Sequence, residues 1–264
     1  MEKTIKPRIA IYDFTDCEGC EVAIISLREK LLELEKRLDI VDWRLFQEKK
    51  EKGPFDAAQG KPLFAAIIEG APITPGEIET LKYLRDNSTY LISLGACASL
   101  AGIPGIVSKE DREKFYKQIY GPEYKPIGID VVPLHSHVKV DFSIHGCPVN
   151  PNEVIRIIEE LLAGKKPQYR GYSVCFECKL AGNPCRIAAL NKPCLGPIGQ
   201  GGCGAICVSG GSPCYACFGP REEANIPALL KILKNLTTKE EIERYFTMFY
   251  KYIPEWQEKI KPLL

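Results

Sequence analysis

No run of about 18 uncharged apolar residues occurs in this sequence, so no transmembrane helix is expected. Charge of one sign is also missing. The chain carries 35 basic and 34 acidic side chains, a net charge of +1, and so lacks the field that draws nucleic acid or anionic lipid. There is no GxGxxG fingerprint, because "LGACASLAGIPG" (94–105) has its glycines in another order. Pyridine nucleotide and flavin are therefore expected only in partner chains. The opening residues "MEKTIKPRIAIYDF" contain neither an apolar h-region nor paired arginines, so a mature cytoplasmic chain is expected. Only two methionines stand against abundant lysine and glutamate, a composition that leans towards hot habitats.

What is present is a globular composition, 45% hydrophobic and 26% charged, with twelve cysteines. The first part alternates strand and helix patterns. "RIAIYDF" (8–14), "IVDWRLF" (40–46), "LFAAIIEG" (63–70) and "TYLISLGA" (89–96) read as buried strands. From Val22 to Leu38 the apolar spacing predicts one amphipathic helix. "TPGEIETLKYLRDN" (74–87) has a Thr cap, a Pro just inside and an early Glu, and "NPNEVIRIIEELLAG" (150–164) has an Asn cap and a Gly stop. This alternation predicts an α/β fold with a parallel sheet and helices on both faces. Residues 53–62 read as a surface excursion and 102–126 as a loop with one short helix. Composition shifts near "GKKPQYRGY" (164–172), so two domains are expected, 1–166 and 167–264. The second is cysteine- and glycine-rich, then helical over 225–236, 238–253 and the last ten residues.

In a reducing compartment, clustered cysteines are more often metal ligands or redox groups than disulfides. Cys17 and Cys20 follow the first strand, Cys97 follows the fourth, and Cys147 precedes a helix. In an open α/β sheet ligands gather outside the carboxyl ends of the strands, so four thiols from distant segments converge there. Ligands so dispersed need a scaffold that folds around a larger object, and a [4Fe–4S] cluster takes four thiolates. The alternatives are buried free cysteines, or a thioredoxin-like CxxC that leaves Cys97 and Cys147 unused. The dense group runs Cys175-x2-Cys178-x6-Cys185-x8-Cys194-x8-Cys203-x3-Cys207-x6-Cys214-x2-Cys217. Eight thiols make two four-ligand sites, and the interspersed glycines let backbone N–H groups reach sulfur. Two four-cysteine zinc sites in a binding module are the competing chemistry.

"DCEGCE", "GACAS", "HGCPVNP", "PCLGP" and "GSPCYACFGP" resemble, in that order, landmarks of the small subunit of nickel–iron hydrogenases. The resemblance runs along most of the chain. It implies a flavodoxin-like first domain and three [4Fe–4S] clusters. Cys17, Cys20, Cys97 and Cys147 would hold the proximal one. Cys175, Cys178, Cys185 and Cys194 would hold the distal one, and Cys203, Cys207, Cys214 and Cys217 the medial one. Cys175 stands where many members have a histidine, and Cys207 near where many have a proline, which implies four-iron clusters at both positions. The missing twin-arginine leader resembles cytoplasmic members, above all the delta subunit of NADP-linked, heterotetrameric sulfhydrogenases. The gamma subunit of F420-reducing hydrogenases is the nearest alternative.

The implied role is electron transfer between a nickel–iron site in a large subunit and a flavin/NAD(P), polysulfide-reducing or further iron–sulfur subunit. No nickel site is expected here, because all twelve cysteines are assigned. "LHSHVKVDF" (134–142) alternates and reads as a strand with His135 and His137 on one face. His145, two residues before Cys147, is a candidate hydrogen-bonding group. Glu18 reads either as facing a partner or as a helix N-terminal carboxylate.

Overall fold

The structure, a computed structural model, describes residues 6–45, 62–125, 128–255, 258 and 260–263. The excursion at 53–61 and Phe46 lie outside the described residues. Five strands, β1 (Arg8–Asp13), β2 (Asp39–Trp43), β3 (Leu63–Glu69), β4 (Ser88–Leu94) and β5 (Phe142–Ile144), form one sheet. Its order is β2-β1-β3-β4-β5 and every pairing is parallel. This is the flavodoxin-like order, whose topological switch point lies between β1 and β3.

Both faces of the sheet are buried, which explains the near-continuous apolar runs. Ile9, Ile11, Ala65, Ile67, Ile92 and Leu94 point one way. They pack under α1 (Gly19–Ile25), α2 (Glu29–Glu35) and α6 (Pro151–Leu162). On the other side Ala10, Ala66, Ile68 and Leu91 meet Leu81 and Leu84 of α3 (Pro75–Asp86) and Ala98 of α4 (Gly95–Leu100). Each fully buried Ile or Leu contributes about 1.5–3 kcal/mol. α3 starts as its sequence predicts, with a reciprocal Thr74–Glu77 capping box and Pro75 in the first turn.

A third apolar cluster lies under the cysteine-rich stretch. It joins Leu195, Ile198 and Ala216 to Leu229, Leu230 and Leu233 of α9 (Ile226–Leu233) and to Tyr245, Phe246, Phe249 and Tyr250 of α10 (Lys239–Tyr250). Ala96 and Leu100 of α4 belong to the same cluster. Lys251 Nζ, just after α10, donates to Gly105 O at 3.0 Å, tying the C-terminal helices back to the first half.

Two local expectations are corrected. The single helix expected over 22–38 is two, α1 and α2, because Arg28 takes positive φ (49°) and ends the run. α1 starts at Gly19, which buries Cys20, Glu21 and Ile24 and leaves Val22 on the surface. "LHSHVKVDF" is not a strand. Residues Leu134–Ser136 form a 3₁₀ turn, His135 is exposed, and pairing with β4 begins only at Phe142. Asp141 explains the late start, since its Oδ2 takes the Leu91 N–H at 2.8 Å where a ladder bond would otherwise form. The one helix expected within 102–126 is α5 (Lys109–Tyr120), and the described residues of the last ten are helical, closing in the Lys261–Leu263 3₁₀ turn.

Asp141 also pairs with Arg85, which reaches the carbonyls of Ser88 and Thr89. Burial pushes Asp141 up, but the Leu91 N–H and the Arg85 guanidinium outweigh it and hold the carboxyl below its ordinary 3.8. A depressed carboxylate stabilises the fold above its unfolded pKa and loses that contribution as pH falls through the lower folded value. Asp141→Asn should therefore cost about 1.5–3 kcal/mol at pH 7. The gap from wild type should narrow below pH 3.8, which denaturant unfolding across pH will check.

Candidate metal centres

The first thiol group forms at the carboxyl edge of the sheet. β1 leads through Phe14–Asp16 to Cys17 and α1, β3 ends at Glu69, β4 runs into α4 with Cys97, and β5 leads to Cys147. Glu69, buried at the end of a central strand, accepts the N–H groups of Cys20 (3.1 Å) and Glu21 (2.8 Å). This fixes the first turn of α1 as a capping side chain would. Gly95 passes so close to Cys20 Sγ that a Cβ there would collide with it, and its φ is +81°. The Val149 backbone favours the Cys20 thiolate, against the burial that raises it. Cys97 lies within the electrostatic reach of Cys147 and Cys17, and Cys20 within that of Cys97. The structure thus brings the four expected thiols together. Cys17 and Cys147 are exposed, Cys97 is half-buried and Cys20 is buried.

The dense group divides around two cavities. One, of about 50 Å³, is lined by Cys175 and Cys178 of α7 (Val174–Leu180) with Cys185 and Cys194. The other, of about 450 Å³, is lined by Cys203, Cys214, Cys217 and Cys207, the last on α8 (Ile206–Ser209). Cys147 lines this larger cavity too. The groups adjoin one another: Cys214 N–H bonds Cys194 Sγ at 3.4 Å, and the Cys147 backbone favours the Cys217 thiolate against burial. Within groups, Ala188 N–H reaches Cys185 Sγ at 3.4 Å and Ala216 N–H reaches Cys214 Sγ at 3.3 Å.

All twelve cysteines are free thiols. Burial pushes Cys97 and Cys217 up to about 12 and Cys175 and Cys203 to about 11, and it raises Cys20 and Cys214 as well. Neighbouring thiol charges push in the same direction. Such thiols keep their protons until a cation replaces them. Among the described residues no three His, Cys, Asp or Glu side chains converge closely enough to hold a single metal ion. Four thiols around a cavity, with N–H groups aimed at sulfur, fit a multinuclear iron–sulfur cluster.

Polar side chains brace these sites. Burial brings His145 down to about 4, so its ring is neutral. Ser99 Oγ donates to Gly95 O (2.8 Å), so the 2.7 Å contact to Ser99 is assigned as donation from His145 Nδ1. The ring stacks on Tyr169 and lies against Gly219, where a Cβ would sit 3.0 Å from it. His135 and His137 lie on the 134–137 turn, with His135 within electrostatic reach of His145. Glu18, in left-handed conformation before α1, makes no cap bond and pairs with Arg44, which also bridges Asp13.

Sequence reasoning missed three carboxylates. Glu69 was the lone charge in an apolar strand, and that was its available signal. Glu21 accepts Trp43 Nε1–H at 2.8 Å, and burial raises it to about 7. Glu177, inside the second CxxC, accepts from Gly202 N (2.9 Å) and Gly204 N (3.0 Å), on either side of Cys203. No periodicity marks either.

Gly95→Ala should displace Cys20, because neither the strand end nor the Glu69 clamp can retreat. The expected loss is about 1–3 kcal/mol in thermal unfolding, with faster alkylation of Cys20 by a thiol reagent in the apo-protein.

Comparison with known proteins places this geometry. Residues 17–161 match the family described as NADH ubiquinone oxidoreductase, 20 Kd subunit. The sulfhydrogenase 2 subunit delta of Pyrococcus furiosus is 32% identical, over 93% of this chain and 100% of that protein. The delta subunit of the NAD-reducing hydrogenase HoxS of Cupriavidus necator is 26% identical, over 61% of this chain and 80% of that protein. A chain of the [NiFeSe] hydrogenase from Desulfovibrio vulgaris Hildenborough superposes with a TM-score of 0.58 at 15% identity, covering 85% of this chain and 95% of that one. With four thiols at the sheet edge and eight beyond, the chain belongs to the NADH ubiquinone oxidoreductase 20 Kd subunit family, among the small subunits of the nickel–iron hydrogenase type.

Proposed function

We propose that this chain relays electrons between the nickel–iron site of its large subunit and a flavin/NAD(P)-binding, polysulfide-reducing or further iron–sulfur subunit in the cytoplasm. Cys17, Cys20, Cys97 and Cys147 hold the proximal cluster. Cys203, Cys207, Cys214 and Cys217 hold the medial one, and Cys175, Cys178, Cys185 and Cys194 the distal one. Residues 1–166 then serve as the sheet unit and 167–264 as the unit for the two further clusters. A [4Fe–4S] cluster bound at each set supplies one-electron transfer. The observation that carries this reading is the continuity of the three thiol groups: Cys214 N–H bonds Cys194 Sγ, and Cys147 lines the same cavity as Cys203, Cys207, Cys214 and Cys217. Each contact joins a residue of one set to the next, so no part need move between neighbouring sets.

The chain's own residues do four things here. Thiols bind and surrender their protons. N–H groups to sulfur favour the reduced form. Leu195, Ile198, Phe246 and Tyr250 keep water from the inner side, and Glu69 and His145 hold the ligand loops in place. No described helix is long and apolar enough to cross a membrane. The likeness to the sulfhydrogenase delta subunit favours an NADP- or sulfur-linked complex over an F420-reducing one.

Anaerobically purified complex should contain about twelve iron atoms and as many acid-labile sulfides per copy of this chain, from three four-iron sites. Two or three zinc atoms in a colourless protein would instead establish the zinc module. Because the ligand thiols sit above their ordinary value of 9.0, protons compete with iron more strongly at low pH. A chelator should strip iron faster at pH 6 than at pH 8, followed by loss of visible absorbance. Cys17→Ala should abolish hydrogen-dependent reduction of the final acceptor, while H/D exchange in the assembled complex persists. Loss of both activities would sink the relay role.

A further inference from the structure

Glu177 occupies an unusual place. It lies in the Cys175–Cys178 segment of α7, yet its carboxylate turns towards the neighbouring set of thiols. Oε1 accepts Gly202 N–H at 2.9 Å and Oε2 accepts Gly204 N–H at 3.0 Å, so the two amides flanking Cys203 both point at one carboxylate. Tyr172 OH donates to Oε1 at 3.3 Å. Cys203 Sγ lies 3.7 Å from Oε2. In the apo-protein that is a thiol S–H reaching an acceptor. The sulfur stands in for a thiolate, and with a cluster bound the contact sets two negative groups side by side. Among the described residues Glu177's partners are two amides, a phenol and a thiol, and none is a cation.

We propose that Glu177 is a positioning and tuning residue that holds the Cys203 loop and lowers the reduction potential of the cluster bound there. This rests on the reading that Cys203 is a cluster ligand, and it deepens that reading. Two physical effects act in the same direction. A unit negative charge beside a half-buried ligand sulfur disfavours the extra electron of the reduced state. The same carboxylate takes up two N–H dipoles next to Cys203, and N–H groups directed at sulfur are a principal means of raising such a potential. The bonds also make α7 and the 202–204 loop one unit, so two sets of ligands share one brace.

The test is an anaerobic redox titration of the assembled hydrogenase, read by electron paramagnetic resonance. Glu177→Gln keeps an acceptor and a similar shape but removes the charge. It should raise one midpoint by at least about a tenfold shift in the reduction equilibrium, ~59 mV for one electron, with iron content unchanged. Glu177→Asp keeps the charge and should leave that midpoint closer to wild type than Glu177→Gln does. Tyr172→Phe strips a donor from the carboxylate and keeps the ring and carbonyl that contact Gly201 of the ligand loop, so it should move the same midpoint downwards. Equal shifts in Glu177→Gln and Glu177→Asp, or no shift with full iron content, would overturn the proposal and leave only a mechanical brace. If Glu177→Gln does not load with iron, the sign of the Tyr172→Phe shift decides: downwards supports the tuning role, unchanged or upwards refutes it. A wild-type protein without iron–sulfur signals would instead overturn the cluster assignment itself, so the two failures are distinguishable.

Discussion

The carboxylate of Glu69 is the constraint on which the proximal site depends. A buried carboxylate costs several kcal/mol to desolvate, and here two charge-assisted N–H bonds from Cys20 and Glu21 offset that cost. Those bonds fix where α1 begins, and the rest follows. With Gly19 as the first helical residue, Cys20 turns inward under Gly95, Ile24 joins the core, and Glu21 meets the indole of Trp43. Burial pushes Glu69 above the ordinary carboxylate value while the Cys20 and Glu21 amides pull it back. The clamp sits at the end of β3, beside the β1/β3 switch point where an open sheet leaves room for a ligand.

Beyond the sheet the logic changes. Residues 181–205 contain no regular helix or strand, and their backbone groups are satisfied by turns, sulfur and carboxylates. After the four-residue α8, longer helices return in α9 and α10, which supply most of the apolar surface beneath this stretch. Such a region has little core of its own. On the cluster reading, the free energy of ligand binding is also the free energy that orders the loops. The braces seen here, Glu177 across Gly202 and Gly204 and His145 between Ser99 and Gly219, set the loops close to their bound positions.

Much of this was readable in the chain. The strands announced themselves because a sheet buried on both faces needs unbroken apolar runs, as in 63–68. The cysteine placement was readable because strand ends are where the fold leaves space. What was hidden has physical causes. The Val22–Leu38 run has helical periodicity in the right places, but periodicity does not register that Glu69 starts the helix early and that Arg28 breaks it. Val138 and Val140 alternate as a strand would, and they do pack against the sheet core, yet the Asp141 side chain pre-empts the first ladder bond. Glu177 reads as an ordinary helix-surface charge, and only the fold of the distant 202–204 loop reveals its direction.

The exposed thiols bear on why such a chain works in company. Cys17, Cys147, Cys185 and Cys207 are exposed, whereas the other eight are buried or half-buried. Cys147 and Cys207 open into the same large cavity, beside Ile206, which is 71% exposed. Thiolates or sulfides left open to water and oxygen are oxidised, and an exposed aliphatic side chain at their rim gains from being covered. On the relay reading proposed above, a partner covering Cys17 and the Cys147–Cys207 cavity would meet both needs at once, excluding oxidant and burying Ile206. Cys185 is open on a different element, in a segment whose Phe176, Leu180 and Leu190 also face solvent. Among the described residues the exposed thiols thus fall in two places, and the helices and loops of the chain cover the rest.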